Sequence, residues 1–187
     1  METSQTLRFV RLLLVMIMLC CTGCVSMLRI DGPYEGKVVD AETSQPLEGV
    51  VVHGTWYKVH PNLAGSNSEY YDSYEVLTDR EGKFKIPGKG LQMLSSVDEM
   101  TVTIVNAGYE NIPPNVWSGL NAYSLRDKIT WESNRGTFKL KPLTMEQRQK
   151  RLISMPVSEP DKKEKLLRIE YNKEMIESGR ASTPVYR

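Results

Sequence analysis

The amino-acid sequence predicts a mainly β chain, with a β-sandwich over residues 34–142 and a helical C-terminal tail over residues 143–187. Three observations carry this. Short apolar stretches punctuated by turn residues recur through 34–142, the pattern of a strand-rich sandwich. No cysteine follows Cys24, so an exported domain has no disulfide and depends on a packed core. Beyond Pro142 the apolar spacing lengthens from alternation to the helical period.

The N-terminal segment reads as an address. Arg8 and Arg11 precede ten apolar residues, Leu12 to Cys21. That run is too short to cross a hydrocarbon core about 30 Å thick as a helix, and it fits a secretory signal over residues 1–23. Thr22-Gly23-Cys24 then resembles a bacterial lipobox, in which small side chains fit the peptidase and only the cysteine thiol accepts a diacylglyceryl group. Cys21 stands where leucine is usual. The resemblance implies a lipid on Cys24, a palmitate-bearing mature N-terminus and a bilayer as partner. Residues 24–33 then form a lipidated tether.

The formal net charge of the 187 residues is +1, from 24 Lys and Arg against 23 Asp and Glu. Removing residues 1–23 takes away Arg8, Arg11 and Glu2 and leaves the charges balanced. A nucleic-acid binder needs a basic excess to displace counterions, so no nucleic-acid partner is expected.

In chain order, Gly36 to Asp40 is a first strand, turned by Ala41 to Pro46. Leu47 to Tyr57 is a second strand; Val50, Val52, Gly54 and Trp56 share one face, and Val51, His53, Thr55 and Tyr57 the other. His60 to Asp72, with Pro61, Gly65 and Ser66-Asn67-Ser68, reads as a loop. Tyr74–Thr78 and Lys83–Ile86 flank the hairpin turn Asp79-Arg80-Glu81-Gly82. Thr101–Val105 and Gly136–Lys141 are further strands, and 110–135 is the least regular stretch. Thr144-Met145-Glu146-Gln147 has capping-box spacing and opens a short helix. Ser158-Glu159-Pro160-Asp161 reads as the cap of a second, over 159–178. That helix carries an apolar stripe of Leu167, Tyr171 and Met175 and stops at Gly179. Such a tail is expected to pack on its own domain.

Four blocks, Gly36-Lys37-Val38-Val39-Asp40, Pro46 to Val52, Thr78 to Ile86 and Ala107-Gly108-Tyr109, resemble in this order the carboxypeptidase regulatory-like domain. The resemblance implies an Ig/transthyretin-like β-sandwich of about seven strands. It carries little about activity, because one fold hosts many functions. Such domains accompany peptidases or outer-membrane receptors; with no second domain to regulate in cis, regulation here is expected in trans.

Catalytic side chains are scarce. His53 and His60 are the two histidines, with no His-Glu-x-x-His spacing. A small hydrolase or metal-dependent enzyme is the rival built on this pair and nearby carboxylates; the expectation is an exposed strand histidine, a loop histidine, no metal and no cofactor. Asp72, Asp79 and Glu81 lack a calcium loop. No Gly-x-Ser-x-Gly occurs. Aromatic residues are more suggestive: Trp56, Tyr57, Tyr70, Tyr71, Tyr74, Trp117, Tyr123 and Trp131. Trp56 and Tyr74 are expected in the core, and Tyr57, Tyr70, Tyr71 and Trp117 are candidate ligand-binding residues. The sequence thus predicts a non-enzymatic lipoprotein of a bacterial cell envelope that serves binding or assembly. Its expected partner is an envelope protein or a glycan. Val25-Ser26 after the cysteine favours an outer membrane, facing the periplasm. A structural spacer docking through the tail helix is the second alternative.

Overall fold

The structure, a computed structural model, describes residue 11 and residues 28–62, 65–93, 96–121, 125–132, 135–152 and 164–185. Cys24, Tyr123 and the Ser158–Asp161 cap lie outside the described residues. The strands are β1 (Leu28–Asp31), β2 (Tyr34–Asp40), β3 (Val51–Asn62), β4 (Gly65–Leu77), β5 (Lys83–Ile86), β6 (Gly90–Met93), β7 (Thr101–Val105), β8 (Ile112–Val116), β9 (Ile129–Glu132) and β10 (Arg135–Leu140). A 3₁₀ turn spans Trp117–Asn121, and the helices are α1 (Met145–Lys150) and α2 (Lys165–Glu177). No helix among the described residues is long and apolar enough to cross a membrane.

Two four-stranded sheets, ordered β5-β2-β10-β9 and β4-β3-β7-β8, share one hydrophobic core, and β1 pairs with β6 in a separate ribbon. The chain is therefore mainly β with a C-terminal helix, as expected. The described residues hold ten strands rather than about seven. The four strands absent from the six read off the sequence are the two ribbon strands, β8 and β9, each only four or five residues long.

β2 and β10 run parallel at the centre of the first sheet, where Gly36 pairs with Gly136. A Cβ on Gly36 would lie 2.7 Å from both Phe138 and Phe84 ring atoms. The two glycines therefore leave a slot that aromatic rings fill. Phe84, Phe138, Trp117 and Trp131 meet there at centroid separations of 5.4 to 6.4 Å.

Several local signals are realised as read. Asp79 accepts hydrogen bonds from the Glu81 and Lys83 N–H groups, and Gly82 takes φ +74° in the turn. Thr144 and Gln147 form a reciprocal capping box. Past α2, Gly179 adopts φ +71°, and Arg180 and Ala181 donate to the Met175 carbonyl.

Residues 60–72 depart from expectation. Residues 60–62 and 65–72 continue β3 and β4 as a paired arm, with a register shift at Trp56/Tyr57. Beyond Thr55 the arm has left β7 behind. His60 and residues 65–69 are exposed, so composition that resembles a loop suits a projecting ribbon. The tether prediction changes too, because residues 28–31 form β1. Pro113 and Pro114 sit in β8, at the sheet edge, where their missing donors are tolerated.

Helix α2 packs on the outer face of the second sheet, where Leu167 and Tyr171 join Val51 and Val105. Both faces of β3 over 51–56 are consequently buried. The described helix spans Lys165–Glu177, and a distant residue satisfies its first turn: the Glu75 carboxylate accepts from the Leu166 and Leu167 N–H groups at 2.8 Å. Two helical glutamates close the joint. Glu170 accepts from Ala107 N–H at 2.7 Å, and Glu174 from Gly108 N–H at 2.8 Å. Arg148 of α1 donates to Glu174 at 2.7 Å, and Arg151 lies 3.1 Å from the same carboxylate. Burial alone would raise the Glu174 pKa; the Arg148 and Gly108 hydrogen bonds and the Arg151 charge outweigh it and hold the carboxyl below the usual range.

Candidate functional site

Asp31, the last residue of β1, is 2% exposed. Its carboxylate accepts from Tyr34 Oη at 2.6 Å, Trp56 Nε1 at 2.8 Å and the Lys89 N–H at 2.8 Å. A buried carboxylate requires such satisfaction. Burial, then the Asp31 bond and charge, push the Tyr34 hydroxyl well above its ordinary pKa. Lys89 extends the network: its Nζ donates to Asp72 and lies 4.3 Å from the Trp56 ring centroid. This knot fixes the root of the β1–β6 ribbon to the body.

A second feature is a groove of about 650 Å³ over the first sheet, whose lining includes Glu35, Lys37, Lys83, Lys85 and Arg135. Odd-numbered residues of β2, β5 and β10 point outward there, because the even-numbered ones are buried. Glu35 bridges Lys85 at 2.9 Å and Arg135 at 3.2 Å, and Lys85 before Arg135 holds its carboxyl below the usual range. Lys37 and Lys83 are direct register partners across β2 and β5. Like charges so placed repel. Neither ammonium has an ion-pair partner among the described residues.

The four predicted binding residues are divided. Tyr57 and Tyr70 pair across the β3–β4 arm, and Tyr70 Oη lies 3.0 Å from Ser73 Oγ. Tyr71 is 43% exposed, with Lys58 Nζ 4.7 Å from its ring centroid. Trp117 stands apart in the core-end aromatic cluster, 5.2 Å from the Tyr34 ring. Trp56 fills the core as expected, whereas Tyr74 is 44% exposed. Its strand is the sheet edge, so no second neighbour covers it.

The histidines are not brought together. His53 is buried, contrary to the expected exposed strand position, because its face of the sheet is the one α2 covers. His60 is exposed on the arm, 3.4 Å from Glu69. Seven residues of strand separate them by roughly 20 Å. No group of three His, Cys, Asp or Glu suited to a metal occurs among the described residues.

Sequence reading missed Asp31, Glu75 and the facing Lys37/Lys83 pair. A faint signal for the first existed in Leu28-Arg29-Ile30-Asp31, an apolar–polar alternation four residues long. No protein family, curated protein or solved structure matches this chain significantly.

Proposed function

We propose that the chain is a lipid-anchored, non-enzymatic binding module of a bacterial cell envelope, built on a transthyretin-like sandwich of the carboxypeptidase regulatory-like kind. The observation that carries the binding role is the facing pair Lys37 and Lys83 in the groove. Two register-matched ammonium groups on an exposed sheet, without an ion-pair partner among the described residues, favour an anionic ligand that bridges them, such as an acidic glycan. The anchor rests on the Thr22-Gly23-Cys24 motif, whose cysteine lies four residues before β1. Acylation there delivers the sandwich to the membrane on a short leash.

Two measurements test the two halves. Intact mass of the membrane-extracted protein is expected to show a diacylglyceryl group on an N-terminal Cys24; an unmodified N-terminus elsewhere overturns the anchor. Retention of the protein on immobilised polyuronate is expected to fall in the Lys37→Glu/Lys83→Glu variant and in high salt. Equal retention of variant and wild type removes the groove as the ligand site.

A spacer that docks a partner through α2 is the second reading. Ile169 and Ile176, seven residues apart and so on one helical face, are 51% and 43% exposed opposite the packed stripe. Loss of a copurifying envelope protein in Ile169→Glu, with the groove variant unaffected, favours it.

A further inference from the structure

The β1–β6 ribbon presents an apolar face that the other described residues leave largely exposed. Leu28 pairs with Met93 and Ile30 with Leu91, so all four side chains project to one side. They are 51%, 64%, 75% and 63% exposed respectively. The opposite side is polar and tied down: Arg29 donates to the Val97 carbonyl at 3.0 Å, Gln92 to the Lys89 carbonyl at 3.0 Å, and Asp31 is locked in its knot. The ribbon is thus amphipathic and held at a fixed orientation.

We propose that this face seats on the phospholipid bilayer, its four side chains entering the boundary between headgroups and acyl chains and setting the orientation of the anchored domain. The proposal rests on the lipidation of Cys24. Four residues link Cys24 to Leu28, and extended chain spans at most about 3.4 Å per residue. Leu28, at the near end of the ribbon, is therefore within about 14 Å of the lipidated cysteine, about twice the depth of the headgroup layer on one side of a hydrocarbon core about 30 Å thick. A tether of that length keeps these side chains within reach of the membrane surface, and their apolar character matches the interface they would meet there. A second copy of the chain is a poorer occupant, because a stable dimer buries about 800 Å² per partner and two four-residue strands offer far less. The acyl chains supply the affinity; the ribbon supplies direction.

The test uses the lipidated protein in vesicles of phosphatidylethanolamine and phosphatidylglycerol. With Cys24 acylated at sulfur and no later cysteine, Leu91→Cys and, separately, Glu81→Cys each introduce one reactive thiol for a nitroxide label. Glu81 serves as the reference because it lies in the turn at the opposite end of β5 from the ribbon. On vesicles the Leu91→Cys label is expected to lose about fivefold in collision with a water-soluble nickel chelate while gaining in collision with oxygen, as apolar surroundings require. The Glu81→Cys label stays accessible to nickel. Equal nickel accessibility at both positions, with intact mass showing acylated Cys24, overturns the seated ribbon and leaves the lipoprotein reading standing. Dipolar broadening between Leu91→Cys labels places a second copy on the face and also overturns it. A mass without the diacylglyceryl group overturns the lipoprotein reading and the seating together.

Discussion

Substituting Glu174→Gln tests whether the tail and the sandwich form one cooperative unit. The Glu174 carboxylate is 1% exposed and takes hydrogen bonds from Arg148 and the Gly108 N–H, with Arg151 3.1 Å away. Glutamine keeps the shape and an acceptor but removes the charge that neutralises two largely buried guanidinium groups. Breaking a buried pair by removing one partner costs about 3–5 kcal/mol. Arg148 keeps Glu177 at 3.0 Å, which places the expected loss near the lower end, about 3 kcal/mol at pH 7. Urea unfolding of the full chain, followed by tryptophan fluorescence and by helical circular dichroism, measures it. Both signals are expected to move together. The pH dependence adds a second check. The folded pKa of Glu174 lies below its unfolded value, so its stabilisation is complete above the unfolded pKa of about 4.3 and is lost as pH falls through the folded one. The gap between wild type and variant should therefore narrow in acid. Subtracting the two curves cancels Glu75, whose pKa burial raises despite the Leu166 and Leu167 N–H bonds and whose contribution runs the other way, declining as pH rises. A difference under about 0.5 kcal/mol at pH 7, or one unchanged in acid, refutes the reasoning.

Asp31→Ala strands the Tyr34 hydroxyl, the Trp56 indole N–H and the Lys89 N–H in a buried site; at about 1–3 kcal/mol for each orphaned donor, a loss of at least 3 kcal/mol is expected in urea unfolding. A normal midpoint would show that the knot is not structural. Gly36→Ala forces a methyl into the Phe84 and Phe138 rings and toward the Gly136 carbonyl at 2.8 Å, and a cost of about 1–3 kcal/mol should appear as a lowered melting temperature. Lys37→Thr relieves the repulsion facing Lys83, so thermal denaturation at low salt should show a gain of about 0.2–1 kcal/mol that shrinks as salt is added. No gain at low salt would remove the charge argument for the groove.

What the sequence determined by itself was local. The Asp79–Gly82 turn, the Thr144–Gln147 capping box and the Gly179 stop each depend on a side chain or a glycine meeting backbone within a few residues, so spacing suffices to read them. The inward face of β3, from Val52 to Trp56, follows from alternation for the same reason. Tertiary structure decided the rest. His53 is buried because α2, more than a hundred residues later, covers the outer face of its sheet, and the first turn of that helix is bonded by Glu75, some ninety residues earlier. Residues 60–62 and 65–72 are paired strand because each half supplies the other's hydrogen bonds, which polar composition does not forbid. Lys37 faces Lys83, and Leu28 and Ile30 face Met93 and Leu91, only once register is set between segments some 45 to 65 residues apart. Register and coverage depend on which distant segment arrives as neighbour, and the groove and the ribbon are both products of that arrival.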